Sequence, residues 1–433
     1  MNAKQSDQTH AWRPFTQEKS ASEQIHIIRG KGAYLYGADG KKYLDMISSW
    51  WANLHGHSHP KIAEAITKQV HELEHVMFAD FTHEPAIRFS KALGALLPGD
   101  LNKVFFSDNG STAVETALKM AIQYWYNLRE PRTEFIAFER GYHGDTFGAM
   151  SVGKGCGFYK PFEKCLFDTE LVPFPATWWD DNCVEQKEAL TLSKVMTCLN
   201  KHKNKIAGLI IEPLIQGAGG INVCRTEFLQ KLVALCKAND VLVIFDEVMT
   251  GFGRTGDMFA CIKSGVVPDI ICLSKGISGG FLPFAATVTT NRIYDLFLSE
   301  DGTKTFMHGH TYTANPLGCA AANASLAVFE EDKTFEKIRK MEEVHCLRIS
   351  GIAKKFYIVK RPRVIGTIAA FEVGNTGEYG NKFSQILKNK FLSLGIFIRP
   401  LGNVVYLMPP YCVNESELHH AYDIIESVLA LEL

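Results

Sequence analysis

Three short apolar runs, Ile206 to Ile211, Val241 to Phe245 and Ile270 to Leu273, most narrow what this chain can fold into. Between the first two, Thr226 caps a helical stretch carrying Phe228, Leu229, Leu232, Val233, Leu235 and Cys236. Runs this short and this apolar read as strands buried on both faces, and strand, helix, strand at this spacing means βαβ units. The expectation is an α/β chain with a mostly parallel sheet covered by helices. Upstream, Lys103 to Ser107 and Phe135 to Phe138 are two further strands. A helix from Ser111 lies between them, with Val114, Ala117, Leu118, Ala121, Ile122 and Trp125 on one stripe.

The flanks read differently. Tyr34 to Tyr36 and Tyr43 to Met46 surround Ala38-Asp39-Gly40, a hairpin signal, because Gly accepts the positive φ of a tight turn. Beyond about Asn323 come a helix through Phe335 to Ile349 and strands around Ile365 to Val373. A helix from Asn381 to Leu394 follows, closed by Gly395, then strands Ile396 to Arg399 and Val404 to Met408 and a terminal helix from Glu415. This is a separate α+β lobe. The expected division is 1–59, 60–322 and 323–433, with a loose tail at the start and a long irregular insertion from Lys154 to Asn182.

Composition excludes several classes of function. Of 433 residues 46% are hydrophobic and 21% charged, so the chain can bury a core. Forty-six basic against forty-seven acidic residues, with no Lys/Arg run, offer nothing to nucleic acid or an anionic membrane surface. No apolar stretch approaches a membrane span, and residues 1–10 lack the apolar core of a signal peptide. The eleven cysteines are scattered without a Cys-x-x-Cys pair, the usage of a reducing compartment. A cytoplasmic enzyme is the expectation.

Two motifs mislead. Gly251-Phe-Gly253-Arg-Thr-Gly256 matches a dinucleotide-binding loop, but the acid at suitable distance, Asp269, precedes its strand rather than ending it. His55, His57 and His59 lie close together without a carboxylate or thiolate at matching spacing, so no metal site is expected.

The chemistry gathers elsewhere. Asp246 and Lys275 each follow a strand of a parallel sheet, and so share its carboxyl edge, where open α/β sheets bind ligands. A desolvated lysine there is nucleophilic toward a carbonyl, and the aspartate can hold a proton on a pyridine nitrogen. That pairing is what pyridoxal phosphate requires, although a structural ion pair fits the same positions. Ser107-Asp108-Asn109-Gly110-Ser111-Thr112 joins a strand to an amphipathic helix, with a glycine, a hydroxyl and a helix start where a phosphate can sit.

On these residues the chain resembles the fold-type I, class III aminotransferases. Ile211-Glu-Pro-Leu-Ile-Gln-Gly-Ala-Gly-Gly220, Asp246 through Gly256 and Leu273-Ser-Lys275-Gly carry the likeness. Ser48-Ser-Trp50-Trp51, Gly141-Tyr142-His-Gly-Asp-Thr-Phe, Phe306-Met-His-Gly-His-Thr311, Ile398-Arg399-Pro400 and Tyr406-Leu-Met-Pro-Pro410 draw it toward members that aminate 8-amino-7-oxononanoate in biotin synthesis. The resemblance implies a large cofactor domain and a small domain built from both chain ends. It implies that Lys275 carries pyridoxal 5'-phosphate and shuttles the proton, that Asp246 pairs with the ring nitrogen and that Gly110 and Ser111 hold the phosphate. Tyr142 would stack on the ring and also face substrate. His310 and Thr311 would reach the partner's cofactor, making a homodimer with shared sites. Phe15, Trp50, Gly309, Arg399 and Tyr406 would contact substrate, Arg399 as the carboxylate clamp.

Two positions depart from the family pattern: Phe15 replaces a tyrosine, and His310 a frequent proline. S-adenosylmethionine is the implied amino donor, with lysine as the alternative that Phe15 raises. The rival readings are an aminotransferase of 4-aminobutyrate or ornithine type, a non-catalytic regulator, and a mutase or decarboxylase on the same scaffold.

Overall fold

A computed structural model of the chain describes residues 10–19, 21, 24–157, 159–374 and 382–431. The expected tail before residue 10 and the helix start at Asn381 lie outside the described residues. The central sheet has seven strands: β1 (Leu101–Ser107), β2 (Glu134–Phe138), β3 (Thr169–Val172), β4 (Ile206–Ile211), β5 (Leu242–Asp246), β6 (Ile270–Leu273) and β7 (Ala285–Thr290). Their order is β1-β7-β6-β5-β4-β2-β3. Only β7 runs against its neighbours, pairing antiparallel with both β6 and β1. The sheet is therefore mostly parallel, as expected, with one reversed strand that the sequence reading missed.

Alternation along each strand feeds two cores. Val243 and Phe245 of β5 join a cluster with Leu209, Ile211, Ile271 and Leu273, covered by the helix Thr226–Ala238. Leu242 and Ile244 point the other way, into a cluster with Phe135, Ile270 and the stripe of α1 (Gly110–Asn127). Burial on both faces explains why these strands read as continuous apolar runs.

Four local expectations are corrected. Arg225, not Thr226, occupies the N-cap of the Thr226–Ala238 helix, and no side chain caps it. The irregular stretch after Lys154 contains β3, the edge strand beside β2. A strand Ile27–Lys31 precedes the hairpin and pairs with Tyr34–Gly37. One unbroken helix, Pro316–Glu331, runs across the expected change of lobe at 322–323.

The chain ends meet in a second sheet, where Ile396–Phe397 adds parallel to Lys42–Asp45. Leu44 and Met46 then share a core with Phe371, Ile398, Leu407, Leu418 and Tyr422. Each of the eleven cysteines is free, and among the described residues no helix is long and apolar enough to cross a membrane.

Within that core His345 Nδ1 lies 2.6 Å from the Tyr422 hydroxyl. Burial pulls the imidazole pKa down to about 3. The unfolded chain binds a proton at this histidine near pH 6.5 and the folded chain does not, so stability is complete above that pH and falls as pH drops toward 3. The expected slope is about 1.4 kcal/mol per pH unit from this group. Urea midpoints between pH 7 and 4 should fall less steeply for His345→Gln than for the parent. Parallel curves would remove His345 as the cause.

Candidate active site

A cavity of about 750 Å³ opens at the carboxyl edge of β4, β5 and β6. Asp246 is the last residue of β5, and Lys275 follows β6 by two residues, opening a 3-10 turn with φ 42°. Both line the cavity with Gly110, Ser111 and Tyr142. Five residues expected at the cofactor site thus converge on one space.

Their surroundings define the electrostatics. Asp246 Oδ2 lies 2.7 Å from His143 Nδ1, and Oδ1 accepts the Val248 amide at 3.1 Å. Burial works against protonation of His143, but the hydrogen bond to Asp246 and the charges of Asp246 and Glu212 outweigh it and raise its pKa. Glu212, directly after β4, accepts the amides of Tyr142 at 3.1 Å and Gly217 at 2.9 Å. Burial still pushes its carboxyl up to about 7. Lys275 is largely enclosed, and desolvation lowers its pKa although Asp246 and Glu212 oppose the shift. An amine held this way is more often neutral, hence more nucleophilic, than a surface lysine.

The start of α1 forms the opposite wall. Asn109 caps it, exchanging hydrogen bonds with Thr112, while Gly110 and Ser111 as its first residues have amides without helical partners. Two glycines keep this wall open. A Cβ on Gly110 would meet Val248 Cγ1 at 2.7 Å, and one on Gly144, whose φ is +120°, would meet Ser111 Oγ at 2.1 Å. Thr146 Oγ1, beside the same wall, is buried without a partner.

The remaining wall is Trp51. Lys275 Nζ sits 4.8 Å from its ring centroid, and its indole N–H donates to the Tyr406 hydroxyl at 2.9 Å. Trp50, expected to contact substrate, lies outside this cavity: the Arg399 guanidinium lies 4.5 Å over its ring and Phe15 packs edge-on at 5.6 Å. Phe15 and Arg399 line a second cavity of about 520 Å³. Tyr406 is buried behind Trp51. Gly309 and Thr311 are exposed and His310 binds Thr313, so none of the three lines the cavity of its own chain.

Why adjacent tryptophans face different spaces is visible in the backbone. Ser48, Ser49, Trp50 and Trp51 have φ of 51°, 44°, 73° and 75°, a left-handed turn without a glycine. Arg254 holds it, donating to the carbonyls of Trp51 at 3.1 Å, Asn53 at 3.3 Å and Pro409 at 2.9 Å. Ser49 Oγ donates to Asp45 Oδ2 at 2.7 Å and Ser48 Oγ to Met408 O at 2.8 Å. Arg254 and the glycines around it therefore serve architecture, in the motif that imitates a dinucleotide loop. His57 and His55 also have structural partners, Asp45 at 3.0 Å and Ser325 at 3.0 Å.

Sequence reasoning missed Glu212, His143 and Trp51. Glu212 carried the same signal as Asp246 and Lys275, an ionisable residue at the carboxyl end of a parallel strand. His143 and Trp51 each adjoin a residue that was singled out.

Comparison with known proteins places this geometry. The class-III aminotransferase family model matches residues 16–429. The adenosylmethionine-8-amino-7-oxononanoate aminotransferase of Synechococcus elongatus is 51% identical, covering 97% of this chain and 98% of that one. A crystal structure of the enzyme with the same name from Methanocaldococcus jannaschii superposes with a TM-score of 0.90 at 37% identity, over 97% of each chain. An amine transaminase from an uncultivated Pseudomonas species, solved in its PLP-bound form, gives 0.89 at 30% identity, over 97% of this chain and 98% of that one.

Removing Arg254 leaves three buried carbonyls unpaired beneath a turn that is unfavourable on its own. Arg254→Met is expected to destabilise the fold by about 3–5 kcal/mol in urea unfolding. Lys61→Met, which breaks only the exposed pair with Glu331, should cost less than about 1 kcal/mol. Equal costs would show that the turn does not depend on Arg254.

Proposed function

The chain belongs to the class-III aminotransferases, and from that premise we propose that it aminates 8-amino-7-oxononanoate to 7,8-diaminononanoate, a step of biotin synthesis, using pyridoxal phosphate. The observation that carries the reading is the convergence of Lys275, Asp246 and the start of α1 on one cavity. The residues fit the cofactor: partnerless helix amides, the unpaired Thr146 hydroxyl and the space kept by Gly144 suit a phosphate, and the buried Asp246 suits a ring nitrogen. When bound, pyridoxal phosphate supplies an aldehyde that takes up amino groups and a ring that draws electrons from the reacting carbon.

The chain's own groups do the rest. Lys275 contributes the amine that meets the aldehyde, and moves a proton between substrate carbon and cofactor. Asp246, fixed by His143 and the Val248 amide, keeps the ring nitrogen protonated. Gly110 and Ser111 would hold the phosphate, and Tyr142 would lie against the ring. Trp51 and Tyr142 exclude water, while Arg399 binds the carboxylate of the acceptor and Phe15, Trp50 and Tyr406 shape the approach. The exposure of Gly309 and Thr311 supports a homodimer in which this segment, with His310, completes the partner's site. The division into a cofactor lobe at 60–322 and a small lobe from 1–59 and 323–433 belongs to the same reading, with the Pro316–Glu331 helix bridging the two. So does a cytoplasmic location.

S-adenosylmethionine is the donor in this reading, in keeping with the names of its relatives. Phe15 supports lysine as a second donor, because a ring without its hydroxyl forgoes a hydrogen bond worth about 0.5–1.5 kcal/mol. Mixing the holoenzyme with each donor in turn, and following the cofactor's visible band, should show the band lost with S-adenosylmethionine and restored by 8-amino-7-oxononanoate. A response to lysine alone changes the donor. No response to either donor overturns the assignment. Lys275→Ala should abolish turnover while retaining some cofactor, and multiple turnovers by that variant would exclude Lys275 from its role.

A further inference from the structure

The stretch after Lys154, expected as an irregular insertion, sends one side chain to the wall of the Lys275 cavity. Tyr159 stands at the entry to the 3-10 turn Lys160–Cys165, buried against Met150 and Leu166 with Tyr142 and Cys156 at the margin of the same cluster. Its hydroxyl donates to the carbonyl of Gly144 at 2.9 Å. Burial raises its pKa, which keeps the phenol protonated and a donor. Its ring lies nearly parallel to that of Tyr142, the centroids 6.4 Å apart and the planes inclined by 25°.

The carbonyl that Tyr159 holds and the amide of Asp145 belong to one peptide group. That group is planar and trans, so its C=O and N–H point in opposite directions. Tyr159 holds the oxygen on one side, and on the other the Asp145 amide donates to Ser111 Oγ at 3.0 Å. The Tyr142 hydroxyl, donating to Asp145 Oδ2 at 2.9 Å, fixes the side chain of the same residue. Gly144, at φ +120°, has no Cβ to oppose rotation of this peptide, and none fits, because it would meet Ser111 Oγ at 2.1 Å.

The consequence falls on Ser111. A serine hydroxyl has one proton and two lone pairs. The Asp145 amide occupies a lone pair, and among the described residues no acceptor takes the proton. Ser111 lines the Lys275 cavity, so that proton is left for an anion within it. Were the Gly144–Asp145 peptide to turn over, its carbonyl would face Ser111, accept the proton and set a partial negative charge beside the anion's place. One buried tyrosine hydroxyl thus decides whether Ser111 donates to the cavity or to the backbone.

We propose that Tyr159 is a positioning residue for the cofactor's phosphate: by holding the Gly144 carbonyl it keeps the Asp145 amide on Ser111 and leaves the Ser111 proton to the phosphate. This rests on the pyridoxal phosphate reading above for the identity of the anion, but not for the orientation of the hydroxyl.

The test compares the parent and Tyr159→Phe, each freed of cofactor and titrated with pyridoxal phosphate and with pyridoxal, which has the same ring and aldehyde but no phosphate. The visible band of the loaded protein reports binding. Tyr159→Phe should raise Kd for pyridoxal phosphate about 3- to 10-fold, the size of one hydrogen bond, and leave Kd for pyridoxal unchanged. In a Ser111→Ala background the same change should affect neither compound, because the hydroxyl it orients is gone. Equal losses on both compounds would make Tyr159 a support of Tyr142 and the fold alone, and would overturn the proposal. So would no loss on either, or a full loss that persists without the Ser111 hydroxyl. Should Tyr159→Phe not fold, 3-fluorotyrosine incorporated in place of Tyr159, a stronger donor of nearly the same shape, should tighten pyridoxal phosphate but not pyridoxal. Parallel or absent shifts there overturn the proposal too. Calorimetry with inorganic phosphate separates the two readings. If no band forms with either compound but the parent binds phosphate about 3-fold or more tightly than Tyr159→Phe does, the relay stands and the cofactor reading falls. If phosphate then binds both proteins alike, or binds neither, the relay falls as well.

Discussion

The left-handed turn at Ser48 to Trp51 is the constraint that sets Trp51 against the Lys275 cavity and Trp50 against Phe15 and Arg399. Left-handed backbone costs an L-residue roughly 1–2 kcal/mol, so four in succession without glycine amount to about 4–8 kcal/mol. Such a turn persists only where its surroundings over-determine it. Here the restraints come from every direction. Arg254 reaches it from the loop after β5, Met408 receives Ser48 from the C-terminal strands, and Asp45 receives Ser49 from the preceding strand. The turn thus ties the two chain ends to the central sheet, and its reward is to expose consecutive indoles to different spaces. An ordinary strand would also alternate its side chains, but could not curl back against Arg254.

The parallel sheet supplies the second organising fact. Neighbouring strands β4, β5 and β6 deliver Glu212, Asp246 and Lys275 to one edge because parallel strands all end there. Two buried carboxylates beside a largely enclosed lysine would be costly in isolation. The cost is reduced by distribution: Glu212 takes two backbone donors, Asp246 takes His143 and one amide, and Lys275 keeps the field of both acids. The outcome separates their chemistry, with a carboxyl close to neutrality at Glu212 and a softened amine at Lys275. Groups whose environments push their proton affinities apart are those suited to sharing acid and base work.

How far the sequence revealed this depends on the range of the interactions. β4, β5, β6 and α1 were legible because apolar runs and a helical stripe are local signals, and Asp246 and Lys275 followed from strand direction alone. β7 was not. Ala285-Ala-Thr-Val-Thr-Thr290 is buried throughout but carries little hydrophobic contrast, and its reversed direction is settled only by pairing with β1 and β6. β3 was hidden inside a segment rich in Gly, Pro and Trp. The left-handed turn was invisible, since nothing in Ser-Ser-Trp-Trp announces positive φ and two of its restraints lie more than 200 residues away at Arg254 and 360 away at Met408.

This division of the tryptophans bears on how a single site can handle dissimilar partners. Amino transfer in two halves requires donor and acceptor to present their reacting groups to Lys275 in turn, although their tails share little. The structure offers a reaction chamber bordered by Trp51 and a separate cavity bordered by Phe15 and Arg399. Discrimination between substrates that acts outside the reacting centre leaves the lysine, its aspartate and the helix that faces them undisturbed.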